Sequence, residues 1–86
     1  MKDYVIAIFS VRTSTMQFSN LLNKNGVKSV VIETPKSASA SCGISVRFAV
    51  QNLAKAKQLL ASSKINNFVR FYLVTEFYGK KTLRPI

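Results

Sequence analysis

The chain of 86 residues carries 13 Lys or Arg against three Asp or Glu, a formal net charge of +10, with no histidine and one cysteine, Cys42. This composition excludes an internal disulfide, leaves a zinc site almost without ligands, and rules out nucleophilic schemes that need a histidine base. A chain of this length forms one domain burying about 60–65% of its extended surface, and its charge favours anionic partners: nucleic acid, an acidic protein or a small anion.

The basic residues are scattered, Lys80-Lys81 being the only adjacent pair. Scatter of this kind fits solubility better than a nucleic-acid footprint, so non-specific affinity is expected to be weak, roughly 10⁻⁴–10⁻⁶ M at physiological salt. The apolar run Tyr4 to Phe9 is too short to span a bilayer, and Asp3 stands where a signal peptide carries positive charge. The expectation is a cytoplasmic protein without membrane contact, whose cysteine stays a free thiol.

Tyr4 to Val11 is apolar on both alternate faces and reads as a central strand, near residues 3–10. Ser14-Thr15-Met16-Gln17 matches a capping box, predicting a helix near 14–25. Phe18, Leu21 and Leu22 then form its apolar face, and Asn25-Gly26 is a left-handed stop. A second strand follows near 27–33.

Residues 35 to 43, Pro-Lys-Ser-Ala-Ser-Ala-Ser-Cys-Gly, form a small-residue loop around Cys42. The small neighbours leave the thiol open, Pro35 stiffens the loop entry, and Gly43 can adopt positive φ and admit a ligand close to the backbone. Against this, a lone cysteine is most often a small buried apolar side chain.

Past the loop, Ile44, Val46, Phe48 and Val50 alternate with Ser45, Arg47 and Ala49, the pattern of a half-buried strand near 44–50. A second helix is predicted near 51–62, with Leu53, Ala56, Leu59 and Leu60 on one face. A last strand near 68–77 places Val69, Phe71, Leu73 and Phe77 on one side and Phe68, Arg70, Tyr72, Val74, Glu76 and Tyr78 on the other. Residues 1–79 are read as the single α+β domain and 80–86 as a loose basic tail.

The order β-α-β-β-α-β is that of the ferredoxin-like split βαβ, an α+β fold with a four-stranded antiparallel sheet and both helices on one face. In that topology strand 1 ends, helix 1 starts and the Cys42 loop turns at one edge of the sheet. Cys42 is therefore expected near Arg12, Thr13 and Ser14, where the helix N-terminus, Lys36 and Arg12 favour a thiolate.

The segment Pro35-Lys36-x-x-Ser39-Ala40-Ser41-Cys42-Gly43 resembles a family of small selenium/sulfur carrier-like proteins, in which a strand ends in Pro-Arg and a short serine-containing stretch leads to Cys-Gly and another strand. The likeness extends back through Asn25-Gly26-Val27 to the run Tyr4–Ser10. It implies that Cys42 holds sulfur or selenium as a covalent intermediate, passing it between donor and acceptor proteins. Lys36, Ser39, Ser41, Gly43 and Arg12 would surround the bound anion. No cofactor is implied, and the role is that of a carrier rather than a stand-alone enzyme. Two positions depart from the family pattern. Lys36 replaces the usual arginine and so loses its bidentate geometry. Ser14 stands where members often carry a histidine, so no proton-transfer role carries over to it.

Two alternatives stand beside the carrier. One is a basic RNA-binding module, but its aromatics Phe68, Tyr72 and Tyr78 fall on an edge strand rather than on central ones. The other is a homodimerising interaction domain using the open sheet face, where Tyr72, Val74 and Tyr78 would form a partly apolar patch.

Overall fold

The computed structural model describes residues 2–38 and 42–86. The elements, in chain order, are β1 (Lys2–Phe9), α1 (Arg12–Lys24), β2 (Ser29–Glu33), β3 (Ile44–Phe48), a 3-10 turn (Val50–Asn52), α2 (Leu53–Ser62), β4 (Phe68–Phe77) and β5 (Lys80–Pro85). The five strands form one antiparallel sheet in the order β2-β3-β1-β4-β5. The expected neighbours are all present, and the sheet carries one strand more than the four predicted.

β1 is central because both of its faces are apolar. Val5, Ala7 and Phe9 join Val46, Phe48 and Phe71 beneath the helices, where Phe18 and Leu22 of α1 and Ala56 of α2 complete a continuous core. Leu21, Leu53, Leu59 and Leu60 close its rim. Each of these helical positions was legible from the spacing of three and four residues. Burying side chains of this size contributes about 1.5–3 kcal/mol each, which holds both helices on one face.

The start of α1 differs from the expected capping box. The helix begins at Arg12, its N-cap is Val11, and no side chain caps it. Ser14 is instead a buried third position within the first turn. The helix stop is as expected: Gly26 sits at φ +81, its N–H bonds the Asn23 carbonyl, and the Val27 N–H bonds the Leu22 carbonyl. This is a Schellman arrangement, with Val27 and Leu22 also packed in the same cluster.

β4 carries an irregularity that moves one aromatic to the other face. Ile8 pairs with Arg70 but Phe9 pairs with Phe68, so Val69 is skipped in the register. The bulge turns Phe68 toward the helical side, where its ring lies 5.4 Å from Phe9 and 4.8 Å from Phe71. Strict alternation had placed Phe68 with Arg70 and Tyr72; a bulge breaks that period of two.

Residues 80–86, expected as a loose tail, contain β5, which pairs along β4 from Phe77↔Lys80 to Tyr72↔Pro85. The connection is the two-residue turn Tyr78-Gly79, both at positive φ (50° and 78°), the mark of a type I′ hairpin. β4 is thereby an interior strand. The new edge holds Lys80, Lys81, Arg84 and Pro85, residue types that discourage further strand addition.

The face of the sheet away from the helices is not open along β1. Tyr4, Ile6, Ile8 and Val74 are buried there with Ala38 of the β2–β3 loop, and Ile32, Tyr72 and Leu83 pack around them. The Arg47 guanidinium lies over the Tyr4 ring at 4.1 Å. Ala38 thus covers part of the face that the interaction-domain reading left free. Of its expected patch, Val74 is fully buried and Tyr78 is exposed.

Candidate functional site

Cys42 sits two residues before β3, at the end of the sheet where β1 finishes and α1 starts. Its position follows from register: Glu33 pairs with Ile44 and Ser45 with Ile8, so the loop entering β3 must pass the end of β1. The loop is closed at its base by the Thr34 N–H bonding the Gly43 carbonyl at 2.9 Å. A second tie joins the Thr34 and Ser45 hydroxyls at 2.6 Å. On the entry side, the Ala38 N–H returns to the Pro35 carbonyl at 2.9 Å, forming a turn with Lys36 and Ser37 at its tip.

Within this frame Cys42 is partly exposed. Its thiol is 3.0 Å from the Phe9 carbonyl oxygen, to which it donates, and 3.4 Å from that of Ile44. The Thr15 hydroxyl lies 3.7 Å from the sulfur and donates to the Val11 carbonyl at 3.1 Å. A thiol is a weak donor, yet the short contact to Phe9 ties the side chain to the end of β1.

The expectation that Cys42 meets the start of α1 is therefore met, but by a different residue. Thr15, fully buried in the second half of the first turn, takes the place expected for Arg12, Thr13 and Ser14. Arg12 and Thr13 are exposed, and Ser14 accepts a hydrogen bond from Asn67 at 3.4 Å. The signal for Thr15 lay in the helical spacing: it stands three and seven residues before Phe18 and Leu22, on the same buried face of α1.

Lys36 is exposed at the turn tip and Arg12 is exposed at the first position of α1. Neither is among the hydrogen-bonding neighbours of the sulfur, which within the described residues are Phe9, Ile44 and Thr15. Both cations nonetheless belong to the same end of the sheet as Cys42. Gly43 has φ +77, and a side chain added there would meet nothing within 4 Å. The glycine thus serves the backbone turn and leaves open space on its own Cβ side. Ser39 and Ser41 lie outside the described residues.

What the arrangement can do chemically is bounded by these contacts. A sulfur that has lost its proton has nothing to give the Phe9 and Ile44 carbonyls and is repelled by their oxygens. Among the described hydrogen-bonding neighbours, the Thr15 hydroxyl is the one able to donate to it. Nucleophilic attack thus starts with the side chain leaving the carbonyls. No helix among the described residues is long and apolar enough to cross a membrane.

Residues 3–68 match the family model described as "Putative Se/S carrier protein-like". The match takes in β1, both helices, β2, β3 and the whole Cys42 loop. No curated protein and no solved structure matches the chain.

Proposed function

The chain belongs to the Se/S carrier protein-like family, and on that premise we propose that it carries sulfur or selenium on Cys42 between a donor and an acceptor protein. The observation that carries this reading is that Cys42 is a partly exposed residue beside the open backbone of Gly43, on a loop tied down at both ends.

In the forward step the Cys42 thiolate attacks the terminal sulfur of a donor persulfide. The new Cys42 S–S bond forms as the donor's S–S bond breaks. The donor leaves as a thiolate, and the proton lost from Cys42 passes to it or to solvent. In the return step an acceptor nucleophile attacks the terminal sulfur and Cys42 leaves as a thiolate. The chain ends as it began, with no net electron exchange and no cofactor. Selenium follows the same path when the donor's terminal atom is selenium.

As charge develops, the Thr15 hydroxyl turns from the Val11 carbonyl and donates a hydrogen bond to the sulfur. Lys36 and Arg12 supply positive charge to the terminal persulfide anion from the same end of the sheet, with the backbone of Gly43 beside it. Alone, the chain turns nothing over, so it acts as a carrier and not as an enzyme.

The test is intact mass after incubation with a low-molecular-weight persulfide. The expected result is a gain of one sulfur atom, removed by reductant and missing from Cys42→Ser. A native protein that gains no sulfur while its unfolded form does so would overturn the reading.

A further inference from the structure

The β4–β5 hairpin ends in an aromatic pair that folding does not explain. Tyr78 is 92% exposed and Phe77 54% exposed, their rings meeting edge to face at 4.4 Å. Tyr78 also holds φ 50. The first central position of a type I′ turn favours Asn, Asp or Gly, and a bulky side chain there is strained. A residue that costs stability and buries nothing has its use outside the fold.

The charge around the pair is mainly positive. Lys80 follows the turn, and the register sets Lys2 across from Glu76 at the same end of the sheet. Glu76 is taken by Lys81 at 3.7 Å, and Asp3, across from Thr75, is the other carboxylate at this end, on the face that Phe77 and Lys80 share. From Phe68 to Ile86 the hairpin holds Arg70, Lys80, Lys81 and Arg84 against Glu76 alone, within a chain of net charge +10. Farther along β4, Arg70 lies 5.9 Å from the Tyr72 ring centre.

This end is remote from Cys42. Phe9, which receives the Cys42 hydrogen bond, is at one end of β1 and Lys2 is at the other, a span of about 25 Å at the rise of a β-strand. The hairpin also lies beyond the family-matched segment, which stops at Phe68.

We propose that the β4–β5 hairpin contacts single-stranded nucleic acid, with a base stacked on Tyr78 and a backbone phosphate met by Lys80. Stacking on an exposed ring needs no particular base, and exposed lysines neutralise phosphates without reading sequence. The contact is therefore sequence-tolerant and salt-sensitive. An aromatic ring cannot stack on bases held inside a duplex, so single strands are preferred.

The experiment is fluorescence anisotropy of a labelled oligouridine RNA and of a duplex of equal length, titrated with the full chain. The oligouridine is expected to bind in the range of roughly 10⁻⁴–10⁻⁶ M at physiological salt, and the duplex more weakly. Tyr78→Asn suits the left-handed turn position, so it should melt no lower than the unaltered chain while losing about fivefold or more in affinity. Tyr78→Phe should keep the affinity, and Lys80→Gln should reduce the salt slope by about 0.7. Cys42→Ser should bind as the unaltered chain does, which separates this contact from the carrier reading. Absent binding, equal affinity of Tyr78→Asn, or equal affinity for the duplex would each overturn the proposal.

Discussion

Cys42 and Phe9 are 33 residues apart in sequence, and the thiol of one donates to the backbone carbonyl of the other across 3.0 Å. The contact fixes the resting sulfur at the end of the central strand, against a group that no side-chain substitution can remove. Reaction therefore depends on how readily the side chain exchanges this carbonyl for the Thr15 hydroxyl.

Thr15→Val tests that exchange. The isosteric change removes the hydroxyl 3.7 Å from the sulfur and leaves the Val11 carbonyl bonded to the backbone N–H of residue 15. A hydrogen bond to a charged group is worth about 1.5–3 kcal/mol, so alkylation of Cys42 by iodoacetamide should slow by roughly tenfold or more. Stability should fall by only about 1 kcal/mol, read by urea denaturation. An unchanged alkylation rate in a folded variant would remove Thr15 from the mechanism.

Ala38 joins the cysteine loop to the buried far face of the sheet, beside Tyr4, Ile6, Ile8 and Val74. Ala38→Glu sets a charge against these apolar side chains, which is relieved when the loop lifts away. The variant should label faster at Cys42 and expose the loop to proteolysis between Pro35 and Gly43, while the helical core keeps its cooperative melting. Labelling at the unaltered rate would mean that the Ala38 contact does not restrain the loop.

Truncation after Gly79 removes β5. Were residues 80–86 a loose tail the deletion would be silent. The paired strand makes it costly: β4 becomes an exposed edge and the cover from Leu83 over Val74 is lost. The truncated chain should associate on size-exclusion chromatography, because a bare edge recruits other strands. A monomer melting at the full-length temperature would contradict the assignment.

Most of the core was legible because periodicity reports burial directly. The three- and four-residue spacing of Phe18, Leu21 and Leu22 and the two-residue alternation of Val46 and Phe48 both found their partners. What escaped was set by single residues acting on the backbone. The Val69 bulge broke the alternation that had placed Phe68. The Tyr78-Gly79 turn was hidden because a tyrosine is a poor candidate for positive φ, and with it went β5. At the site, sequence order correctly brought Cys42 to the start of α1. It named the wrong neighbour, because a Ser-x-x-Gln match outranked a helix beginning uncapped at Val11. The packing of Ala38 with Ile6 and Ile8 had no sequence signal beyond its being small and apolar.

The central claim is that Cys42 passes on what it receives, and a load-and-discharge experiment tests it most directly. The protein is loaded from a low-molecular-weight persulfide, freed of excess donor, and mixed with an acceptor thiol while the intact masses of both are followed. The carrier account predicts that the extra sulfur leaves Cys42 as the acceptor gains it, restoring the starting mass. It also predicts that Cys42→Ser neither loads nor discharges. A loaded protein that keeps its sulfur in the presence of excess acceptor, or sulfur that leaves without appearing on the acceptor, would contradict it.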